Sequence, residues 1–201
     1  MAIRKLEDGL KLVHLGRRSK ICTGEYVVFA IGTTGKNPWY GDRVTCIYAE
    51  DQNKDAYYGV CPPDLEYVFK NTSELAVIDR FQDWLDERKD SLLVSFGGTS
   101  AQVPYVLSRK SILHNMKGNI PQGESLLEMR HLDLKRLMNH EFALEALVDL
   151  HRIPQKDYFT TKDVPYELLG RVCQKNVHDI EDVYKAYVNM IQTGRTIIIK
   201  K

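Results

Sequence analysis

Two loops combine glycine with hydroxyl side chains, and each directly follows an apolar run. Thr33, Thr34 and Gly35 follow residues 26–31, and a second loop follows residues 91–96. The second loop consists of Gly97, Gly98, Thr99 and Ser100. Backbone N–H groups and hydroxyls of this kind can donate hydrogen bonds to phosphate or sugar oxygens without a metal ion. The chemistry available to both loops is therefore contact with a phosphate or a sugar.

A third group of polar side chains lies near the C-terminus, where Lys175, His178 and Asp179 come close together in the sequence. On residue types alone, Asp179 is interpreted as a helix-start residue that complements the helix dipole. His178 is interpreted as a surface or capping residue rather than a metal ligand. Neither residue indicates catalysis by itself.

Composition limits the class of protein. A chain of 201 residues with 43% hydrophobic content can bury one substantial core, so we expect a single domain. The net charge of +1 neither requires nor excludes a polyanionic partner. Residues 1–20 are too charged for a secretory signal, and no apolar run approaches the roughly 18 residues of a membrane span. We expect an intracellular, cytoplasmic protein with no membrane contact.

Cysteine spacing favours packing over metal binding. The chain has four cysteines and no CxxC pair. Most of them lie in apolar runs, which is typical of buried free thiols rather than of a zinc site. The four are Cys22, Cys46, Cys61 and Cys173.

The apolar pattern then predicts the elements that carry these residues. Residues 1–24 form an N-terminal arm or edge strand, and residues 25–201 form the main domain. Within that domain, residues 26–31, 43–50 and 55–61 predict three strands joined by short turns, which is an antiparallel meander. Ser73 begins a helix that extends to residue 89, and a strand follows at 91–96. This helix forms a crossover, so the new strand is parallel to the first one.

Helices dominate the remainder. We predict helices at 103–116, 141–150, 166–175 and 177–193, a fifth strand at 126–134, and an apolar tail at 196–200 that adds an edge strand or packs under the last helix. The resulting fold is α/β, a mixed five-stranded sheet with helices on both sides. The opening meander argues against a flavodoxin-like doubly wound sheet.

The first strand and its loop resemble a known motif. Residues 29–35 read F-A-I-G-T-T-G, and they resemble the F-D-I-E-T-T-G motif of the DnaQ-like (DEDD) 3′-to-5′ exonucleases. The similarity is greatest to the group related to the proofreading domain of B-family DNA polymerases. This resemblance implies a ribonuclease H-like fold. Ala30 and Gly32 stand where that family has its first two metal-binding carboxylates.

Residues 96–109 resemble a second motif of this family, F-N-G-x-x-F-D-x-P-x-L-x-x-R. Gln102 stands in the position of the third carboxylate, and Gly97 and Ala101 also differ from the pattern. Four residues match it, namely Phe96, Gly98, Pro104 and Arg109.

The third motif, Y-N-x-x-D-V, resembles residues 175–180. Asp179 keeps the fourth carboxylate, and Lys175 stands where the family has a tyrosine. Between the second and third motifs, His131 and Asp133 match the H-x-D-L strand end. The resemblance extends over residues 25–187, and three motifs in the correct order make it more specific than any one of them.

The resemblance also shows what is missing for catalysis. In this family two divalent metal ions, about 4 Å apart, are balanced by about four carboxylates. Only Asp179 remains, so no metal cofactor is expected, although an active form would need Mg²⁺ or Mn²⁺. Glu181 and Asp182 follow two and three residues later and face away from Asp179 on a helix.

Three functions stay open. The first is a catalytically inactive exonuclease-like domain that binds single-stranded nucleic acid weakly or binds a protein of a replication or repair assembly. The second is a genuine 3′-to-5′ exonuclease that was inactivated by design. Designed knockouts usually replace an acid by alanine or an amide alone, whereas Gly32, Ala101, Gln102 and Lys175 all differ here as well. The third is a structural module. For the first, the resemblance implies contacts from the two glycine loops and from Arg109.

Overall fold

The computed structural model describes part of the chain, and every structural statement below refers to that part. The described backbone comprises residues 2–5, 11–14, 24–38, 42–61, 74–98, 102–116, 129–135, 159–161, 164–193 and 197–199. Predictions for residues 141–150 and for Cys22, Thr99, Ser100 and Ala101 lie outside it.

A small antiparallel sheet joins the two ends of the chain. It contains β1 (Ala2–Lys5) and β2 (Lys11–His14), and β2 also pairs with a C-terminal strand, β9 (Ile197–Ile199). Within residues 1–24, where an arm or edge strand was expected, the structure has two strands, and β2 is the central strand of this small sheet. The C-terminal tail forms a strand, which is the first of its two predicted alternatives.

Strand β3 (Tyr26–Thr33) lies at the centre of the main sheet. Its side chains alternate between two cores: Val27 and Phe29 point to one face, and Val28 and Ala30 point to the other. Because both faces are covered, a continuous apolar run suits this strand better than an alternating one.

The sheet around β3 is mixed, as predicted. Strands β4 (Val44–Asp51) and β5 (Ala56–Val60) follow as an antiparallel meander. After helix α1 (Glu74–Asp86), strand β6 (Leu92–Ser95) pairs in parallel with β3, and the short β7 (His131–Asp133) pairs in parallel with β6. The order β5-β4-β3-β6-β7 gives the five-stranded sheet expected from the sequence.

Helices cover both faces of the main sheet. Helix α1 and helix α2 (Val103–Met116) contribute to the core on one face, and helix α3 (Tyr166–Thr193) contributes to the core on the other. None of the described helices combines the length and hydropathy that crossing a membrane requires. Cys46, Cys61 and Cys173 are buried free thiols, as predicted.

Helix α3 corrects one prediction. Residues 166–175 and 177–193 were expected to form two helices, but they form one helix of 28 residues. Asn176, between the two predicted ranges, is part of the helix and its side chain is buried. Asp179 therefore lies well inside α3, and its interpretation as a helix-start residue is wrong.

Strand β8 (Phe159–Thr160) was not predicted. It pairs in parallel with Gly32 and Thr33, beyond the point where β6 stops pairing with β3. Thr161 extends this contact, since its N–H donates to the carbonyl of Thr33 at 2.8 Å. The Thr161 hydroxyl also lies 2.6 Å from that of Thr45 on β4. The C-terminal end of β3 is thus covered by chain segments on both sides.

A buried ion pair joins four parts of the main domain. Arg109 on α2 donates from Nε and Nη2 to both carboxylate oxygens of Glu74 on α1, at 2.8 and 2.6 Å. Glu74 also accepts the N–H of Val44 at the start of β4, and Arg109 donates to the carbonyl of Pro38. Hydrogen bonding to Glu74 raises the pKa of Arg109, so the guanidinium stays charged.

We predict that Glu74→Ala lowers the free energy of unfolding by about 3–5 kcal/mol, because it leaves the charge of Arg109 buried without a partner. Urea denaturation at neutral pH measures this loss. Glu87→Ala is the matched control, since its carboxylate is exposed beside Arg88 and should contribute less than about 1 kcal/mol. Equal losses in the two variants would contradict the assigned role of Glu74.

Candidate functional site

Apolar packing surrounds the first two positions that the resemblance assigns to metal ligands. Ala30 is 3% exposed and shares a core cluster with Cys46 and Cys173. The Cys173 thiol donates to the carbonyl of Ala30 at 3.3 Å. Gly32 is buried and lies opposite Cys46 in the β3–β4 register. These positions form part of the core beneath α3.

The thiols of Cys46 and Cys173 behave as small apolar groups within the core. Burial raises the pKa of Cys173 well above its ordinary value, and the hydrogen bond with Cys46 raises it further. A neutral, buried thiol is a weak nucleophile and a weak metal ligand. Cys173 therefore fills space against β3 instead of supplying charge.

Gln102, at the third position, holds the start of α2. Its side-chain Nε2 donates to the carbonyl of Phe96 at 3.0 Å, and its backbone N–H donates to the carbonyl of Gly97. The residue is buried, and within the described part of the chain Oε1 has no hydrogen-bond partner. Gln102 thus joins the loop after β6 to the helix that follows it.

At the third motif, the Nζ of Lys175 lies 3.0 Å from Oδ2 of Asp179, four residues later on α3. This ion pair neutralises the carboxylate that the resemblance retains. Cys173, whose thiol donates to the carbonyl of Ala30, lies six residues before Asp179 on α3. On an α-helix that separation is about 9 Å along the axis and roughly 120° around it. Asp179 therefore points from a different side of α3 than Cys173.

The loop after β3 uses its polar groups internally. The Thr33 hydroxyl donates to the carbonyl of Gly35 at 2.7 Å, and the Thr34 hydroxyl accepts the N–H of Arg43 at 2.9 Å. The carboxylate of Asp42 lies directly against Gly35, where any side chain would clash with it. A negative charge in this place opposes the approach of a phosphate.

The loop after β6 also uses its backbone N–H groups in hydrogen bonds within the protein. The N–H of Gly97 donates to Asp133 Oδ1 at 2.8 Å, and the N–H of Gly98 donates to the Ser95 hydroxyl at 3.1 Å. That hydroxyl also lies 2.7 Å from His131 Nε2. Burial lowers the pKa of His131 to about 4, so the imidazole is neutral near pH 7. His131 and Asp133 therefore fix this loop from the neighbouring strand.

A polar network between α3 and the β4–β5 turn was not anticipated from the sequence. Glu181, expected to face away on α3, is buried and accepts the hydroxyl of Tyr26 at 2.8 Å. Lys54 Nζ lies 2.9 Å from Glu181 and also contacts Glu50. Lys185 reaches Glu181 from one helical turn later, at 2.8 Å. The i,i+4 spacing of Glu181 and Lys185 was the one signal of this network in the sequence.

Charge balance in this network favours its ionised form. Burial alone would raise the pKa of Glu181, but hydrogen bonds from Lys185, Lys54 and Tyr26 lower it to about 2. Lys54 makes its contacts from a left-handed backbone conformation, with φ of 69°.

Within the described ranges, no group of three or more histidine, cysteine, aspartate or glutamate side chains is arranged to hold a metal ion.

The comparisons with known proteins agree with this fold. No protein-family profile matches the chain, and no curated protein matches it. Among solved structures, the chain is similar to the family B DNA polymerase from the hyperthermophilic archaeon Pyrobaculum calidifontis, with a TM-score of 0.55 and 14% sequence identity. The similarity covers 84% of this chain and 24% of the polymerase chain.

At that identity the likeness establishes the fold alone. Together with the strand order, it shows a ribonuclease H-like α/β fold, as expected from the sequence. The matched region makes up 24% of the polymerase chain. Its activity and its partners therefore belong to the proposals below.

We predict that Glu181→Gln destabilises the protein most above pH about 4.5. The pKa of Glu181 is lower in the folded protein than its ordinary value, so its stabilising effect is lost as the pH falls from about 4.5 towards 2. Urea denaturation at several pH values should show the difference from the unsubstituted protein shrinking over this range. Glu167→Gln, at an exposed position of the same helix, is the control. A difference that is constant with pH would contradict the prediction.

Proposed function

We propose that this chain is an exonuclease-like domain that does not hydrolyse nucleic acid and that binds single strands weakly. The observation that carries the proposal is the burial of Ala30 against Cys173, at the position where the resemblance puts the first metal-binding carboxylate. Introducing a charged group into this contact would cost several kcal/mol unless it were paired.

The residues at the assigned positions do not fit a pair of divalent metal ions. Mg²⁺ needs anionic oxygens in a near-octahedral array. Alanine and glycine offer no side-chain oxygen, Gln102 offers an uncharged one, and the carboxylate of Asp179 is paired with Lys175. No hydrolytic step through a metal ion follows from such a set of side chains.

The exposed ammonium group of Lys175 supports binding without hydrolysis. Lys175 is 69% exposed, so its ammonium group can contact a phosphate while it keeps its ion pair with Asp179. Thr33 and Arg109 have a positioning role in this proposal, because their polar groups are used inside the protein. A protein of a replication or repair assembly is the alternative partner.

The first test concerns metal binding and hydrolysis. Calorimetric titration with Mg²⁺ or Mn²⁺ at millimolar concentrations should give no tight site, and a labelled single strand should stay intact in the same buffer. Asp179→Ala is the companion variant. Tight sites or strand degradation that disappear in Asp179→Ala would overturn the proposal and would require a different set of ligands.

The second test measures single-strand binding by fluorescence anisotropy. We expect a dissociation constant in the micromolar range or weaker that rises with salt, since few phosphates are contacted. Lys175→Glu should weaken binding at low salt, whereas Lys89→Glu, at an exposed position just after α1, should change it less. An absence of binding at low salt would favour the protein-partner alternative.

A further inference from the structure

Strand β5 is an edge of the main sheet, because among the described residues it pairs with β4 alone. At one end of this pair the N–H of Asp51 donates to the carbonyl of Asp55 at 3.0 Å. At the other end the N–H of Cys61 donates to the carbonyl of Thr45 at 2.6 Å. In a regular antiparallel ladder, residues whose backbone groups point towards the partner strand alternate with residues whose groups point away from it. Every second residue of β5 therefore points its N–H and carbonyl groups outward, and these residues are Ala56, Tyr58 and Val60.

The outward backbone groups lie at an exposed part of the surface. Ala56 is exposed, and Tyr58, at 55%, has the most exposed large apolar side chain among the described residues. No described residue donates a hydrogen bond to these outward groups or accepts one from them. The strand reads A-Y-Y-G-V, so it also lacks the charged residues and prolines that protect many sheet edges. Backbone groups with this spacing are complementary to another extended strand.

Contacts on both faces of the sheet hold this edge in place. On one face the Tyr57 hydroxyl donates to the carbonyl of Val77 on α1 at 2.6 Å. On the other face the Tyr58 hydroxyl lies against Gly170 of α3, in the space that a side chain at that position would fill. A strand that is already fixed loses little conformational entropy when a second strand pairs with it.

The outward groups of β5 are complementary to those of a second copy of the same strand. When two β5 strands run antiparallel with Tyr58 opposite its own counterpart, Ala56 of each copy lies opposite Val60 of the other. All the outward groups are then used, because each directly opposed pair of this type exchanges two hydrogen bonds. Any shifted register leaves some of these groups unpaired. The two Tyr58 rings also come to lie side by side on one face, where aromatic cross-strand pairs are favourable.

The residues beside β5 are compatible with this pairing. Asp55, directly before the strand, lies opposite the uncharged Cys61 of the other copy, so these carboxylates do not face each other. Two prolines follow Cys61 in the sequence, and since proline has no N–H to donate, the ladder cannot be extended through them. A two-fold axis also closes the interface, so pairing stops at two copies instead of continuing into a fibre.

We propose that β5 pairs antiparallel with β5 of a second copy of this chain, with Tyr58 at the two-fold axis, so that the two main sheets become one continuous sheet. The proposal concerns assembly and does not depend on the proposed binding of nucleic acid. A strand of five residues per copy forms a small interface, so we expect a weak dimer with a dissociation constant in the micromolar range.

Sedimentation velocity of the full chain over a range of concentrations tests the assembly. The unsubstituted protein should change reversibly from monomer to dimer as its concentration rises. Tyr58→Lys and Tyr58→Glu should each stay monomeric, because two like charges then face each other at the two-fold axis. An equal mixture of the two variants should restore a dimer, since an ammonium group then faces a carboxylate.

Asp90→Lys is the matched control, because it adds a lysine at an exposed position just before β6, beyond β3 and β4 from the β5 edge. This variant should dimerise like the unsubstituted protein. Circular dichroism shows that each variant is folded. The proposal is overturned by an unsubstituted protein that stays monomeric at every concentration, by a dimer that persists in Tyr58→Lys, or by a mixture that stays monomeric.

A cross-link gives a second measurement that does not rely on charge. Directly opposed residues of this type have Cα atoms about 5.5 Å apart, a separation that a disulfide can bridge. Tyr58→Cys should therefore form a covalent dimer when oxidised glutathione is added, whereas Asp90→Cys should not. A folded Tyr58→Cys protein that forms no more covalent dimer than Asp90→Cys would contradict the proposed register.

Discussion

The architecture depends on the buried ion pair between Glu74 and Arg109. It connects α1 to α2, and through Val44 and Pro38 it also fixes the start of β4 and the loop after β3. Buried charges are costly unless every hydrogen-bonding group is satisfied, and here both carboxylate oxygens are occupied by the guanidinium. The C-terminal end of β3 is therefore positioned by helices that lie on the opposite face from α3.

This arrangement gives a structural role to a residue that matches the family pattern, whereas the positions assigned to metal ligands have a different role. Arg109 makes a structural contact with Glu74 that does not depend on hydrolysis of nucleic acid. Ala30 and Gly32 have instead become part of the packing beneath α3, where Cys173 contacts the β3 backbone. The residues that stabilise the fold and the positions assigned to metal ligands are thus different positions of the family pattern.

Much of the fold was predictable because long elements repeat their pattern. Helix α2 was predicted at its observed bounds, and β3 was recognised from its uninterrupted apolar run. Strand β8 was missed because two residues have no period to detect. The division into two helices at residue 176 was wrong because Cys173 and Val177, on either side of it, pack in the same apolar core and keep the helix continuous.

The site was less predictable than the fold. The sequence indicated that Ala30 and Gly32 carry no charge, but it could not show which α3 residue lies against them, since that depends on the rotation of the helix. Glu181 was missed for a related reason. Its partners Tyr26 and Lys54 are distant in sequence, and only the folded chain brings them together.

The backbone at Lys54 has a consequence for how this chain can change over evolution. A left-handed conformation costs a residue other than glycine roughly 1–2 kcal/mol, so glycine is the replacement that the backbone favours. That same replacement would remove the ammonium group that ties the β4–β5 turn to α3. Backbone strain and the attachment of the turn to α3 therefore favour opposite residues at position 54, where this chain has lysine.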